Sequence, residues 1–277
     1  MTTTTAPPTA PSQVRWWGRL FPGATGRSLH VVERNALSYR RMWLVFLTGF
    51  AEPILYLLSI GVGVGKLVGR VPGPGGHLVA YRTFVAPGLL AVAAMNGAVL
   101  DTTFNFFVKF KYMKTYDAML ATPLAAHDVA SGEVAWALLR GTIYAVAFLG
   151  TMAVLGLVSS AWAVLAVPVA VLIGYAFAGA GLAATTYMRS FIDFDFVNLA
   201  LIPLFLFSAT FFPLSRYPDA LAWVVRLTPL YQGVVVERAL VVGVVQWSLL
   251  VHVAYLALLG WGGVRLAGSR LGRLLQP

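Results

Sequence analysis

Along the chain, apolar positions fall into six long runs and polar ones collect between them. The runs cover about 42–64, 84–107, 133–157, 163–187, 192–212 and 246–267. Each is close to the ~20 residues a helix needs to cross a hydrocarbon layer ~30 Å thick. No stretch alternates in the manner of a barrel strand. The pattern predicts an all-α membrane protein, with six transmembrane helices in one bundle over residues 28–277.

The segments between the runs refine this picture. Residues 1–27 are Thr/Pro-rich, then basic and aromatic, and read as a disordered cytoplasmic tail without the basic-then-apolar order of a signal peptide. Ser28 has the character of a helix N-cap. After it Leu29, Val32, Ala36 and Leu37 recur at helical spacing, while Glu33, Arg34, Arg40 and Arg41 take other positions. The expectation is an amphipathic helix in the cytoplasmic interface. Residues 66–81 read as a turn-rich loop. Residues 213–245 hold two apolar pieces of about 12 residues, split by Pro229 and too short to span. They are expected to form a re-entrant or interfacial helical hairpin on the outer side, between spans five and six. Gly174, Ala178, Gly179 and Gly181 in the fourth run permit tight helix contact.

Composition agrees with the pattern: 59% of the 277 residues are hydrophobic and 11% are charged, where soluble domains carry about 25% charged. The net charge of +10 does not imply nucleic acid, because the basic residues flank the apolar runs and no aromatic-interleaved basic face exists to track phosphates. With the N-terminus inside, fourteen Lys and Arg fall on or near the cytoplasmic side. Six fall outside: Lys66, Arg70, Arg82, Arg216, Arg226 and Arg238. This asymmetry predicts both termini in the cytoplasm of a multi-pass cell-membrane protein.

Candidate chemistry is sparse. The four histidines are far apart, there is no cysteine, and no metal-ligand spacing, phosphate-binding loop or nucleophile elbow is present. Gly61-x-Gly63-x-Gly65 follows a membrane helix rather than a strand, so it reads as close packing or a helix end. The chain is therefore expected to bind no cofactor and to be no enzyme, with any ATP hydrolysis on another chain. Charges inside the runs are the informative residues, since each costs ~2.5–3.5 kcal/mol at membrane depth and needs protein or water around it. Asp101 and Arg140 flank one polar elbow at similar depth and can pair. Glu52, beside the kinking Pro53, lies near the midplane and either joins that pair or lines a cavity.

The elbow is Lys114–Arg140. Thr115 can cap a short helix, Pro123 ends it, and Tyr116, Met119 and Leu120 share one face. Two readings stand: an interfacial turn holding two helices together, or a knob that docks into a soluble partner, the latter favoured by exposed Tyr and Met. Glu133, soon after Ser131, reads as charge complementing a helix N-terminus.

Three stretches, AEPILYLLSIGVGVG at 51–65, APGLLAVAAMNGAVLDTTF at 86–104 with the elbow, and FSATFFPLSRYPDALAWVVRLTPLYQGVVVERAL at 207–240, resemble the ABC-2 family of ATP-binding-cassette permeases. The likeness is strongest to the nodulation-protein-J and daunorubicin-exporter subgroup and covers about 30–267. It implies a dimer of permease chains, amid membrane lipids, served by separate cytosolic ATPases that bind ATP and Mg. It also implies export of amphiphilic cargo such as hydrophobic drugs or lipo-oligosaccharides. By the same likeness Tyr116, Asp117, Met119, Leu120, Thr122 and Pro123 form the ATPase-coupling helix, and the interface helix with Leu29, Val32, Glu33 and Leu37 also meets the ATPase. The rival reading is a self-contained secondary transporter, which predicts midplane carboxylates and internal repeats. Glu52 alone is near the midplane, and 42–157 does not repeat in 163–267.

Overall fold

The computed structural model describes residues 28–40 and 54–275, together with Gly26 and Ala51. Most of the expected tail, the start of the first run, Glu52 and Pro53 lie outside the described residues. The order is α1 (Ser28–Arg40), α2 (Ile54–Val68), β1 (Arg70–Pro72), β2 (Leu78–Ala80), α3 (Tyr81–Tyr112), α4 (Thr115–Leu120) and α5 (Ala126–Val154). Then follow α6 (Ala161–Thr185), α7 (Asp193–Phe207), α8 (Asp219–Leu227), α9 (Pro229–Val242) and α10 (Leu249–Leu275).

Four of these, α3, α5, α6 and α10, are long and apolar enough to cross a membrane. The helix α6 lies at the centre, packed against α3, α5, α9 and α10. Its glycines explain the closest approach: a Cβ on Gly263 of α10 would stand 2.4 Å from the backbone carbon of Gly179. Backbones can approach this far only where both surfaces lack side chains. Leu182, Ile173, Met95 and Phe106 fill the core on one side of α6, and Phe84, Leu90 and Phe148 fill a second cluster towards the other end.

The structure departs from the sequence reading in several places. The fold is not purely helical, because the loop at 66–81 folds β1 against β2, with Val71 opposite Val79. Gly73, Gly75 and Gly76 make the turn possible, the last two at positive φ. The fifth run gives a helix of only 15 residues, about 22 Å long. It stops at Phe207 because Ser208–Phe211 is a buried, non-helical crossing with Ala209 at φ 56. Gly88 of α3 admits that crossing: a Cβ there would meet Thr210 Cα at 3.3 Å. A helix break among apolar helices leaves carbonyls without partners. Arg238 supplies them, its Nη2 donating to Ala209 O at 2.9 Å and Thr210 O at 3.3 Å, and its Nε to Phe84 O at 3.0 Å. Arg238, expected as an outer charge, is therefore a buried tie, whereas Lys66, Arg70, Arg82, Arg216 and Arg226 are exposed.

The helix α1 is turned from its expected face. Leu29 and Val32 are buried, but Ala36 and Leu37 are exposed and Val31 and Asn35 are buried in their place. Packing on α5 sets this rotation. A Cβ on Gly132 would come within 2.6 Å of Val31 Cβ and 2.8 Å of Ser28 O, so the two helices meet directly at that glycine. Ser28 sits in the first turn of the helix rather than before it.

Candidate functional site

The elbow is built from the end of α3, α4 and the start of α5. Two π-helical segments, Asp101–Asn105 and Val108–Tyr112, loosen the last turns of α3. Such segments recur where a helix presents functional side chains. Lys114 then adopts a left-handed conformation at φ 46, which reverses the chain into α4. No side chain caps α4, so Thr115 does not play that part. The helix α5 begins at Ala126, about two turns earlier than expected. Asp128 closes its first turn, its Oδ2 accepting from the Ala125 N–H at 3.1 Å.

That earlier start moves Glu133 from a helix terminus into the helix interior, where it is buried and is the hub of the elbow. Its Oε2 accepts from Lys109 Nζ at 2.7 Å and from Asn35 Nδ2 at 3.1 Å, and its Oε1 accepts from the Tyr116 hydroxyl at 2.9 Å. Lys109 also donates to Asn35 Oδ1 at 3.2 Å. One carboxylate thus joins α1, the end of α3, α4 and α5. Charge-assisted bonds of this kind are about twice as strong as neutral ones.

Tyr116 is accordingly not part of an exposed docking face. Its side chain is fully buried and stacks on Phe106 with centroids 4.9 Å apart. Burial and the adjacent Glu133 carboxylate push the Tyr116 phenol well above its ordinary range, so it remains a donor at neutral pH. Met119 is half-buried against the same core, and the side chain of Leu120 is outside the described set. The exposed side of the elbow carries Asp117, Ala118, Thr122 and Pro123. Thr122 Oγ1 closes the turn on Met119 O at 2.5 Å.

A second polar layer lies deeper. Arg140 Nη2 is 2.7 Å from Asp101 Oδ1, with both side chains buried. Asn105 Nδ2 donates to the same Asp101 oxygen at 2.7 Å and approaches the Tyr39 hydroxyl at 3.4 Å. Arg140 also lies over the rings of Tyr39 and Tyr144, at 5.6 and 5.8 Å. The helix α1 therefore joins the two layers, since it supplies Asn35 to one and Tyr39 to the other. Glu33 and Leu37 point away from both and are exposed.

Sequence reasoning missed Asn35, Tyr39, Asn105, Lys109 and the role of Glu133. A signal was present in the spacing. Asp101, Asn105 and Lys109 stand four apart on one face of α3, Asn35 and Tyr39 four apart on α1, and Glu133 and Arg140 two turns apart on α5. The described residues contain no group of three metal-ligating side chains.

Comparison with known proteins agrees with this architecture. The family model described as ABC-2 type transporter matches residues 28–242. The nodulation protein J of Rhizobium leguminosarum bv. trifolii is 32% identical over 225 residues, 80% of this chain and 84% of that protein. Its counterpart in Rhizobium meliloti (strain 1021) is 32% identical over 225 residues, 80% of this chain and 82% of that protein. The inner membrane transport permease YadH of Escherichia coli (strain K12) is 25% identical over 196 residues, 69% of this chain and 73% of that protein. Four apolar spanning helices, a polar elbow braced from within, and a match over most of the length lead to one assignment: the chain belongs to the ABC-2 type transporter family, as a multi-pass membrane permease.

Proposed function

We propose that this chain is the permease half of an exporter driven by separate cytosolic ATP-binding-cassette ATPases, which carry the ATP and Mg and dock on the elbow. The observation that carries the reading is the two-sided build of α4. Inside, Tyr116 is locked to Glu133; outside, Asp117, Thr122 and Pro123 are presented to whatever lies beyond the bilayer. A force on that outer side passes through one carboxylate to α1, α3 and α5 together. The basic-residue asymmetry supports an elbow and both termini in the cytoplasm, and the likeness to an inner membrane transport permease of Escherichia coli supports an inner membrane setting.

In this reading α2 and α7 complete six spans, and α8 and α9 form the re-entrant outer hairpin. A second copy of the permease packs along α7, which is apolar from Leu199 to Phe207 and buries none of its residues within the chain. The cargo is an amphiphile, a hydrophobic drug or a lipid-linked or lipo-oligosaccharide, in keeping with the likeness to the nodulation proteins J. The test is reconstitution with a cytosolic ATP-binding-cassette ATPase that co-purifies with the permease. Asp117→Arg is expected to abolish cargo-stimulated ATP hydrolysis while leaving membrane insertion and the folded yield unchanged. Full stimulation in that variant, or transport by the permease alone in liposomes, would overturn the reading.

A further inference from the structure

At the end of the bundle opposite the elbow lies a cavity of about 340 Å³, within the range of small-molecule sites. Its walls come from the β1–β2 turn, Phe84 of α3, the Ala209 crossing, α9 and the segment leading into α10. Arg238 is one of them, 7% exposed and therefore more than nine-tenths buried. Its Nε and Nη2 are engaged with backbone carbonyls, and its guanidinium lies 3.6 Å from the Phe84 ring centroid. Carbonyls and a ring face orient the group but carry no negative charge. Among the described residues no carboxylate is within 4 Å of Arg238, and its Nη1 has no hydrogen-bond partner. The sequence neighbour Glu237 turns away and makes no bond. No acidic side chain lines the cavity, whereas Ser215, Tyr231, Gln246, Ser248 and His252 do.

A buried charge without a counter-ion is costly unless something pairs with it. The chemistry required is an oxyanion, for which a guanidinium with a free N–H edge and surrounding hydroxyl and amide donors is suited. The surroundings specify how that oxyanion arrives. Trp223 and Trp247, at this same end, are 66% and 88% exposed, and exposed tryptophans of this kind mark headgroup depth. The cavity also has apolar walls in Leu214, Val235 and Leu249. We propose that this cavity binds the phosphate of a lipid-like amphiphile, with Arg238 as the cationic anchor. The proposal does not rest on the ATPase reading, since binding needs no nucleotide.

The test uses the full chain in neutral detergent, freed of lipid and titrated with short-chain phosphatidylglycerol, inorganic phosphate or short-chain diacylglycerol. Bound molecules are counted by native mass spectrometry. Phosphatidylglycerol is expected to bind at least ten-fold more tightly than diacylglycerol, and Arg238→Gln to remove that difference. Val235→Phe, which narrows the cavity and leaves the Arg238 bonds intact, is expected to weaken binding by a similar factor and serves if Arg238→Gln does not fold. Binding of phosphate as tight as that of the lipid would assign the site to the free anion and overturn the amphiphile. Equal binding of diacylglycerol and phosphatidylglycerol, or unchanged binding in Val235→Phe, would overturn the anchor.

Discussion

The hydroxyl of Tyr116 donates to one oxygen of Glu133 at 2.9 Å while Lys109 and Asn35 occupy the other. No oxygen of this carboxylate is left over, so each partner removed strands another buried group. Tyr116→Phe keeps the stacking on Phe106 and deletes one bond. The expected cost is about 1–3 kcal/mol, read as a lower thermal midpoint, together with weakened coupling to the ATPase. Glu133→Gln should cost more, since it also leaves the Lys109 charge unmatched. A Glu133→Gln variant as stable as Tyr116→Phe would show that the hub is not the centre of the network.

The Asp101–Arg140 pair makes a contrasting prediction. Removing one partner of a buried pair leaves an unmatched charge and costs about 3–5 kcal/mol. Arg140→Met alone is therefore expected to reduce folded yield sharply. Joining it with Asp101→Leu should recover most of that loss, because no charge remains to be buried. Double-mutant analysis of thermal unfolding checks this, and additive losses would count against a direct pair.

Glu237 is the reverse case. It is wholly buried in α9, and neither carboxylate oxygen has a hydrogen-bond partner. An unsatisfied buried group of this kind costs about 1–3 kcal/mol. Glu237→Met, similar in length and apolar, is expected to raise the thermal midpoint. A fall in the midpoint would mean that the carboxyl is stabilised by contacts beyond the single chain.

The glycine contact between α6 and α10 gives a steric test. Gly263→Ala would drive a methyl group into the backbone at Gly179. Overpacking of this kind typically costs 1–3 kcal/mol. Gly262→Ala, one residue away with open space around its Cβ position, should be close to neutral. Equal effects at the two positions would show that the approach is looser than described.

Much of this arrangement is legible in the residues alone. Run length identified α3, α5, α6 and α10, and the small residues of α6 pointed to close packing. The depths of Asp101 and Arg140 placed them near each other. What could not be read was direction. Whether Tyr116 faces inward or outward depends on the reversal at Lys114, and a left-handed lysine has no sequence signature. The role of Glu133 followed from where α5 begins. Its true start is marked by Asp128 bonding back to Ala125, whereas Ser131, of a residue type that also caps helices, bonds back to His127 O within the helix. Arg238 was misplaced for a related reason: charge counting assumes that a basic residue between spans faces water, and here a broken helix needed its N–H groups.

The bond between Asn35 and Glu133 spans 98 residues of sequence, and this has a consequence for biogenesis. The helix α1 leaves the ribosome well before α5, and its buried face, with Val31 against Gly132 and Asn35 against Glu133, has no surface to settle on until α5 has been synthesised. During that interval its apolar and amide side chains have only lipid and water for company. A helix made before α5 is thus seated only after it, and its docking closes the elbow end of the bundle.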